Sequence, residues 1–130
     1  MRGGGTLLAI AGAALAAAGC GNDSNTVSCT ISTPGNGGVT LTVCREVAGL
    51  SVPDQDLWGR SCFVPRGATD APVPGTAHFD HAPCPHVGAL GGCQLADAMT
   101  FTVWYYADGP YTAADIPMLC DQTGDTFVAP

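Results

Sequence analysis

Six cysteines, Cys29, Cys44, Cys62, Cys84, Cys93 and Cys120, run through this 130-residue chain. Their spacing limits the fold more than any other feature. A cysteine metal centre uses closely spaced pairs such as C-x-x-C, and the shortest interval here is nine residues, Cys84 to Cys93. An even count in a small exported domain reads instead as a disulfide framework. A catalytic thiol would leave an odd number to pair. Six cysteines admit 15 connectivities, so the fold depends on which one forms.

The seventh cysteine, Cys20, sits in a different context. Arg2 and three glycines open the chain, and Thr6 to Gly19 follow without a charged residue. That apolar run is short for a hydrocarbon core of roughly 30 Å and suits the central part of a secretory signal. Ala17, Ala18 and Gly19 then lead into Cys20 and the polar stretch GNDSNT. Small residues before a cysteine resemble the lipobox of bacterial lipoproteins. The resemblance implies a leader over residues 1–19, cut before a lipidated and acylated Cys20. Residues 20–26 then form a tether to a disulfide-rich domain over 27–130. Gly21, where some lipoproteins carry Asp, resembles sorting to the outer membrane. The alternative is an ordinary secretory signal cut nearby, with Cys20 as a stray thiol.

Taking 19 residues from 130 leaves 111, enough for one small domain. All eleven acids fall there against Arg45, Arg60 and Arg66, eight net negative charges with no lysine. Nucleic acid is excluded as a partner class, because its affinity rests on Lys and Arg meeting phosphates. Net charge of this kind keeps exported domains apart in solution.

Thr26–Ser32 alternates, with Val27, Cys29 and Ile31 on one side, and Val39–Cys44 alternates again beyond the turn signal PGNGG. Together they predict a hairpin. Ser51 and Asp54 are spaced as a capping pair for a helix on which Leu57, Trp58 and Cys62 share a side. Pro65–Gly92 reads as a long irregular excursion with short strands at SCFV and TAHF. Met99–Tyr106 is the strongest strand signal, and aromatic residues on both its faces predict a central position. Thr112 and Asp115 repeat the capping pair, although Pro117 conflicts with a helix already under way there. TGDTFVAP closes with a short strand. The expectation is a small α+β domain: a short antiparallel sheet with two short helices, stapled by three disulfides.

The two halves look alike. Each has a cysteine-bearing first strand, a second strand, a capped helix and a cysteine at the helix end, so Cys29 corresponds to Cys93 and Cys62 to Cys120. This strand–strand–helix repeat favours Cys29–Cys62 and Cys93–Cys120, leaving Cys44–Cys84. The main competitor is Cys84–Cys93, which would close the PHVGALGG loop. The segments CREVAG, CPHVGALGGC, TVWYY, TAADIPMLC and GDTFV resemble small cysteine-rich lipoproteins of myxobacterial type, over roughly Cys44 to Pro130. That resemblance implies an exported, disulfide-bonded domain and supplies no catalytic residues.

HFDHAPCPH offers His78, Asp80, His81 and His86 as imidazole and carboxylate ligands of the kind zinc or copper accepts. The competing reading is a solvated polar loop. Trp58, Trp104, Tyr105, Tyr106 and Tyr111 suggest either a carbohydrate platform or buried aromatic core. No G-x-S-x-G or H-E-x-x-H motif is present. The leading expectation is therefore a non-enzymatic envelope module without a cofactor, joined to the membrane by its lipid and binding an envelope protein or glycan. The alternative is a metal-binding or small catalytic domain built on the His78–His86 loop. Cys20→Ser should move the protein from the detergent phase to the aqueous phase on detergent partitioning. Retention of both forms in the aqueous phase would remove the anchor.

Overall fold

The alternation from Val27 onward forms a strand in the computed structural model, which describes residues 25–66, 73–96 and 101–130. The leader, Cys20 and most of the tether lie outside these residues. β1 (Val27–Pro34) turns through Asn36–Gly38 into the antiparallel β2 (Thr40–Val47), with Cys29 opposite Arg45. Gly37 and Gly38 make the turn at φ 75° and 79°, where a Cβ would cost roughly 1–2 kcal/mol. α1 (Val52–Arg60) follows, with Pro53 in its first turn, where a backbone N–H has no helical partner anyway. β3 (Thr76–Asp80) returns to the free edge of β1.

The second half repeats this path. β4 (Ala89–Gln94) pairs antiparallel with β5 (Phe101–Tyr106), α2 (Asp115–Thr123) follows, and β6 (Thr126–Val128) returns to the free edge of β4. β2 and β5 join the halves antiparallel, with Arg45 opposite Val103. The resulting order β3-β1-β2-β5-β4-β6 reads the same from either edge as outer, first and second strand. Each half is strand–strand–helix–strand, one strand longer than the sequence repeat suggests. Cys29 faces Phe79 across the outer pair of one half, and Cys93 faces Phe127 in the other.

Directly opposed residues share a face of a sheet, so the register separates two surfaces. The Cys29, Arg45, Val103 and Cys93 positions define the helix face. Trp58 of α1 meets Phe79 and Phe101 there, at centroid distances of 6.3 and 6.4 Å. Ile116 and Cys120 of α2 pack with Cys93, Leu90 and Tyr105. On the opposite face lie Cys44 and Trp104, covered by the chain that crosses from β3 to β4.

Cys29–Cys62 and Cys93–Cys120 each tie a first strand to its own helix end, with Cα separations of 5.5 and 5.2 Å. Cys44–Cys84 ties β2 to the crossover at 5.9 Å. This is the connectivity favoured by the repeat. Cys84–Cys93 does not form because Cys84 lies over the crossover face while Cys93 points to the helix face.

The structure revises the SCFV strand and sharpens other local readings. SCFV is not a strand: the amides of Ser61 and Cys62 bond back to Trp58 and Gly59 and finish α1. The Pro65–Gly92 excursion contains the expected strand at TAHF, as β3, and also the start of β4. Ahead of β1, the Asn25 carbonyl accepts the Leu50 amide and Thr26 is buried. Pro117 is accommodated because α2 begins at Asp115, which places the proline in the first turn. Ahead of it, the Asp115 carboxylate accepts the Thr112 amide and hydroxyl at 2.6 and 2.7 Å, and these bonds hold its pKa below the usual carboxylate range.

A Cβ on Gly91, at φ 150°, would lie 2.5 Å from the Phe127 ring. Gly91→Ala is therefore expected to destabilise the domain by about 1–3 kcal/mol in denaturant unfolding, with partial recovery on adding Phe127→Leu. Unchanged stability would contradict this packing of β4 against β6.

Candidate functional site

The crossover face carries the polar alternate residues of both hairpins. One row runs His78, Thr30, Cys44, Trp104, Gly92. The next places Thr76, Ser32 and Thr42 side by side on three adjacent strands. The crossover runs diagonally over this face and is fastened at successive points. The Cys84 amide donates to Glu46 Oε2 at 2.7 Å, the Tyr106 hydroxyl donates to the Pro85 carbonyl at 2.7 Å, and the Ala107 amide reaches the Gly88 carbonyl. The His86 ring lies on Trp104 with centroids 4.3 Å apart.

Beneath this cover Cys44, Cys84 and Trp104 are buried, with Ala89, Tyr106 and Val128 around them. Among the described residues the Trp104 indole N–H has no hydrogen-bond partner, so stacking and the adjacent disulfide hold the ring in place. Burial, and then the Glu46 carboxylate, raises the Tyr106 phenol pKa above 10.0. On the helix face burial also raises Tyr105, followed by Tyr111, whose ring meets it edge-on at 5.8 Å, and by Asp125.

The diagonal path leaves Thr76, His78, Thr30, Ser32 and Thr42 wholly or partly open to solvent. Two of these positions feed a directed chain of hydrogen bonds that ends on Asp108. Thr42 Oγ1 donates to Asp108 Oδ2 at 2.5 Å, and Ser32 Oγ lies 2.9 Å from Thr42 Oγ1. Thr42 gives its one proton to the carboxylate, so Ser32 must donate to Thr42. The Ser32 oxygen keeps free lone pairs facing solvent. Half-buried Tyr106, on the same face of β5, walls the row on the crossover side. The arrangement presents acceptors, a hydroxyl row and an aromatic flank on a fixed surface.

The four candidate ligands separate. His78 and Asp80 are exposed on the crossover face, opposite Thr30 and Ser28. His81, just past the strand end, turns toward α1: its Nδ1 is 3.1 Å from Gln55 Oε1 and its ring meets Phe79 edge-on at 4.9 Å. His86 stacks on Trp104, over the covered part of the crossover face. Among the described residues no three His, Cys, Asp or Glu side chains gather as a metal set. Zinc or copper ligation by His78, Asp80, His81 and His86 would need this segment rearranged. The aromatic platform also divides, with Trp58, Tyr105 and Tyr111 on the helix face and Trp104 and Tyr106 on the other. Ser32, Thr42, Glu46 and Asp108 escape the sequence reading because outward polar positions of a hairpin look like solvated surface. The acidic turn ADGP beside the aromatic strand is the one available signal. No known protein family, curated protein or solved structure matches this chain.

The raised tyrosine pKa values set the sign of an alkaline effect. The folded state favours the neutral phenols, so their stabilisation is complete below the unfolded pKa and is lost as pH rises through the higher folded pKa. Tyr106→Phe should cost about 0.5–1.5 kcal/mol near pH 8 through loss of the bond to Pro85. It should also reduce the further loss of stability at about pH 11. Equal alkaline sensitivity in wild type and variant would remove Tyr106 as a contributor.

Proposed function

We propose that this protein is a lipid-anchored module of the bacterial cell envelope. It binds a glycan on the open half of the crossover face and does not act catalytically. The observation that carries the reading is the Ser32–Thr42–Asp108 chain beside Tyr106. A row of hydroxyl donors and acceptors next to an aromatic ring suits the alternating hydroxyl groups and apolar patches of a sugar. The strands beneath are rigid because covers on both sides are cross-linked to them, which lowers the ordering cost of binding. Disulfides persist in oxidising compartments, in keeping with export past the inner membrane and anchoring through Cys20. The strongly acidic balance favours a neutral or amino sugar over an anionic one.

Titration of the mature domain with neutral and amino-sugar oligosaccharides, followed by NMR, should move the resonances of Thr30, Ser32, Thr42 and Tyr106. Ser32→Ala with Thr42→Val should weaken binding about tenfold or more, the equivalent of roughly 1.4 kcal/mol. Shifts confined to other surfaces would overturn the site. Stoichiometric zinc or copper in protein purified from its own envelope, lost in His81→Ala, would favour the metal-binding reading instead.

A further inference from the structure

In a domain with so acidic a surface, α1 and the residues after it leave several large apolar side chains in solvent. Gln55, Trp58 and Gly59 turn toward the sheet, while Val52 and Leu57 are each 68% exposed and Phe63, just past the helix, is 57% exposed. Arg60 and Arg66, two of the three arginines after the leader, flank Phe63 and are exposed. Asp54 and Asp56 share the helix, and Asp54 accepts the Ser51 hydroxyl. The chain enters the domain beside the start of this helix, through the bond from the Leu50 amide to the Asn25 carbonyl at 3.1 Å.

That entry point fixes what α1 can reach. Cys20 precedes Asn25 by five residues, and an extended chain advances at most about 3.6 Å per residue, about 18 Å in all. Lipid on Cys20 would therefore hold Asn25, and with it Val52, within about that distance of the headgroups. A weak apolar contact is strengthened when a short tether makes it intramolecular. Lipid surfaces also take apolar side chains together with arginine, whose stem buries while its head stays wet.

We propose that Leu57 and Phe63, flanked by Arg60 and Arg66, rest on the bilayer in which Cys20 is anchored. This orientation rests on the lipidation reading above and deepens it. It lays α1 along the membrane and turns the sheet edge-on or away, leaving the crossover face accessible from the aqueous side.

Hydrogen–deuterium exchange of the lipidated full protein in phosphatidylethanolamine–phosphatidylglycerol nanodiscs tests it, with soluble Cys20→Ser protein as reference. Mass spectrometry of the Cys20 peptide reports the lipid independently. Exchange over residues 50–66 should slow several-fold in nanodiscs and return to the reference rate in Leu57→Glu/Phe63→Glu. Both positions are exposed, so that variant should keep its fold and its lipid. Lipid present with unchanged exchange over 50–66 overturns the docking alone. Lipid absent overturns the docking together with the anchor. Slowing seen in native envelope fragments but not in nanodiscs assigns the surface to a protein and likewise overturns the lipid contact.

Discussion

Every covering segment of this domain is cross-linked to the strand it covers, and the core depends on that linkage. Five of the ten buried apolar side chains among the described residues are half-cystines, joined by Val27, Ile31, Val47, Trp104 and Ile116. So small a set of hydrocarbon side chains offers limited burial to offset the entropy of ordering the chain. A native disulfide in a small secreted domain typically contributes about 2–5 kcal/mol. The need is clearest at α1, which buries Gln55 yet leaves Val52 and Leu57 in water. Cys29–Cys62 holds that helix on the sheet where packing alone is thin.

The duplication explains both the economy of the fold and where it breaks. Two strand–strand–helix–strand halves meet at Arg45 and Val103, and each closes its own helix with the same disulfide. The halves must also be joined, and β3 and β4 lie on opposite sides of the sheet's middle. The connection therefore has to cross one face. Among the described residues it has no counterpart in the other half, and Cys44–Cys84 is the disulfide that lies outside the repeat. A single segment can cover only a diagonal strip. It buries Trp104 and leaves the hydroxyl row over β3, β1 and β2 open. The surface available for binding follows from where the symmetry fails.

Much of this was legible from cysteine spacing and alternation, because those signals are local; the Ser51/Asp54 and Thr112/Asp115 pairs marked where the helices begin, but their hydroxyls donate to the aspartates and cap no amide. Cys29 and Cys93 occupy matched places in alternating strands, and the helices that end near Cys62 and Cys120 lie close in sequence, so the repeat led directly to the pairing. SCFV misled because apolar residues bounded by turns do not distinguish a strand from the end of a helix. The Phe79 and Phe127 match was missed since it needs the outer strands to be known first. The histidine segment shows the limit of proximity in sequence. His78 is placed by the strand period, His81 by a bend after the strand and His86 by the disulfide at Cys84, and those three constraints send His81 to the α1 side while His78 and His86 sit at separate places on the crossover face. Opposed residues such as Ser32 and Thr42 are ten positions apart with no sequence mark linking them to Asp108.

The linkage of each cover to its own strand is tested most directly by non-reducing peptide mapping of the oxidised, folded protein. The account expects three cross-linked peptide pairs, Cys29 with Cys62, Cys44 with Cys84 and Cys93 with Cys120, and no free thiol among these six residues. A peptide joining Cys84 to Cys93 would contradict it. That bond would bring together residues held here on opposite faces of the sheet, and it would undo both the repeat and the covered crossover face.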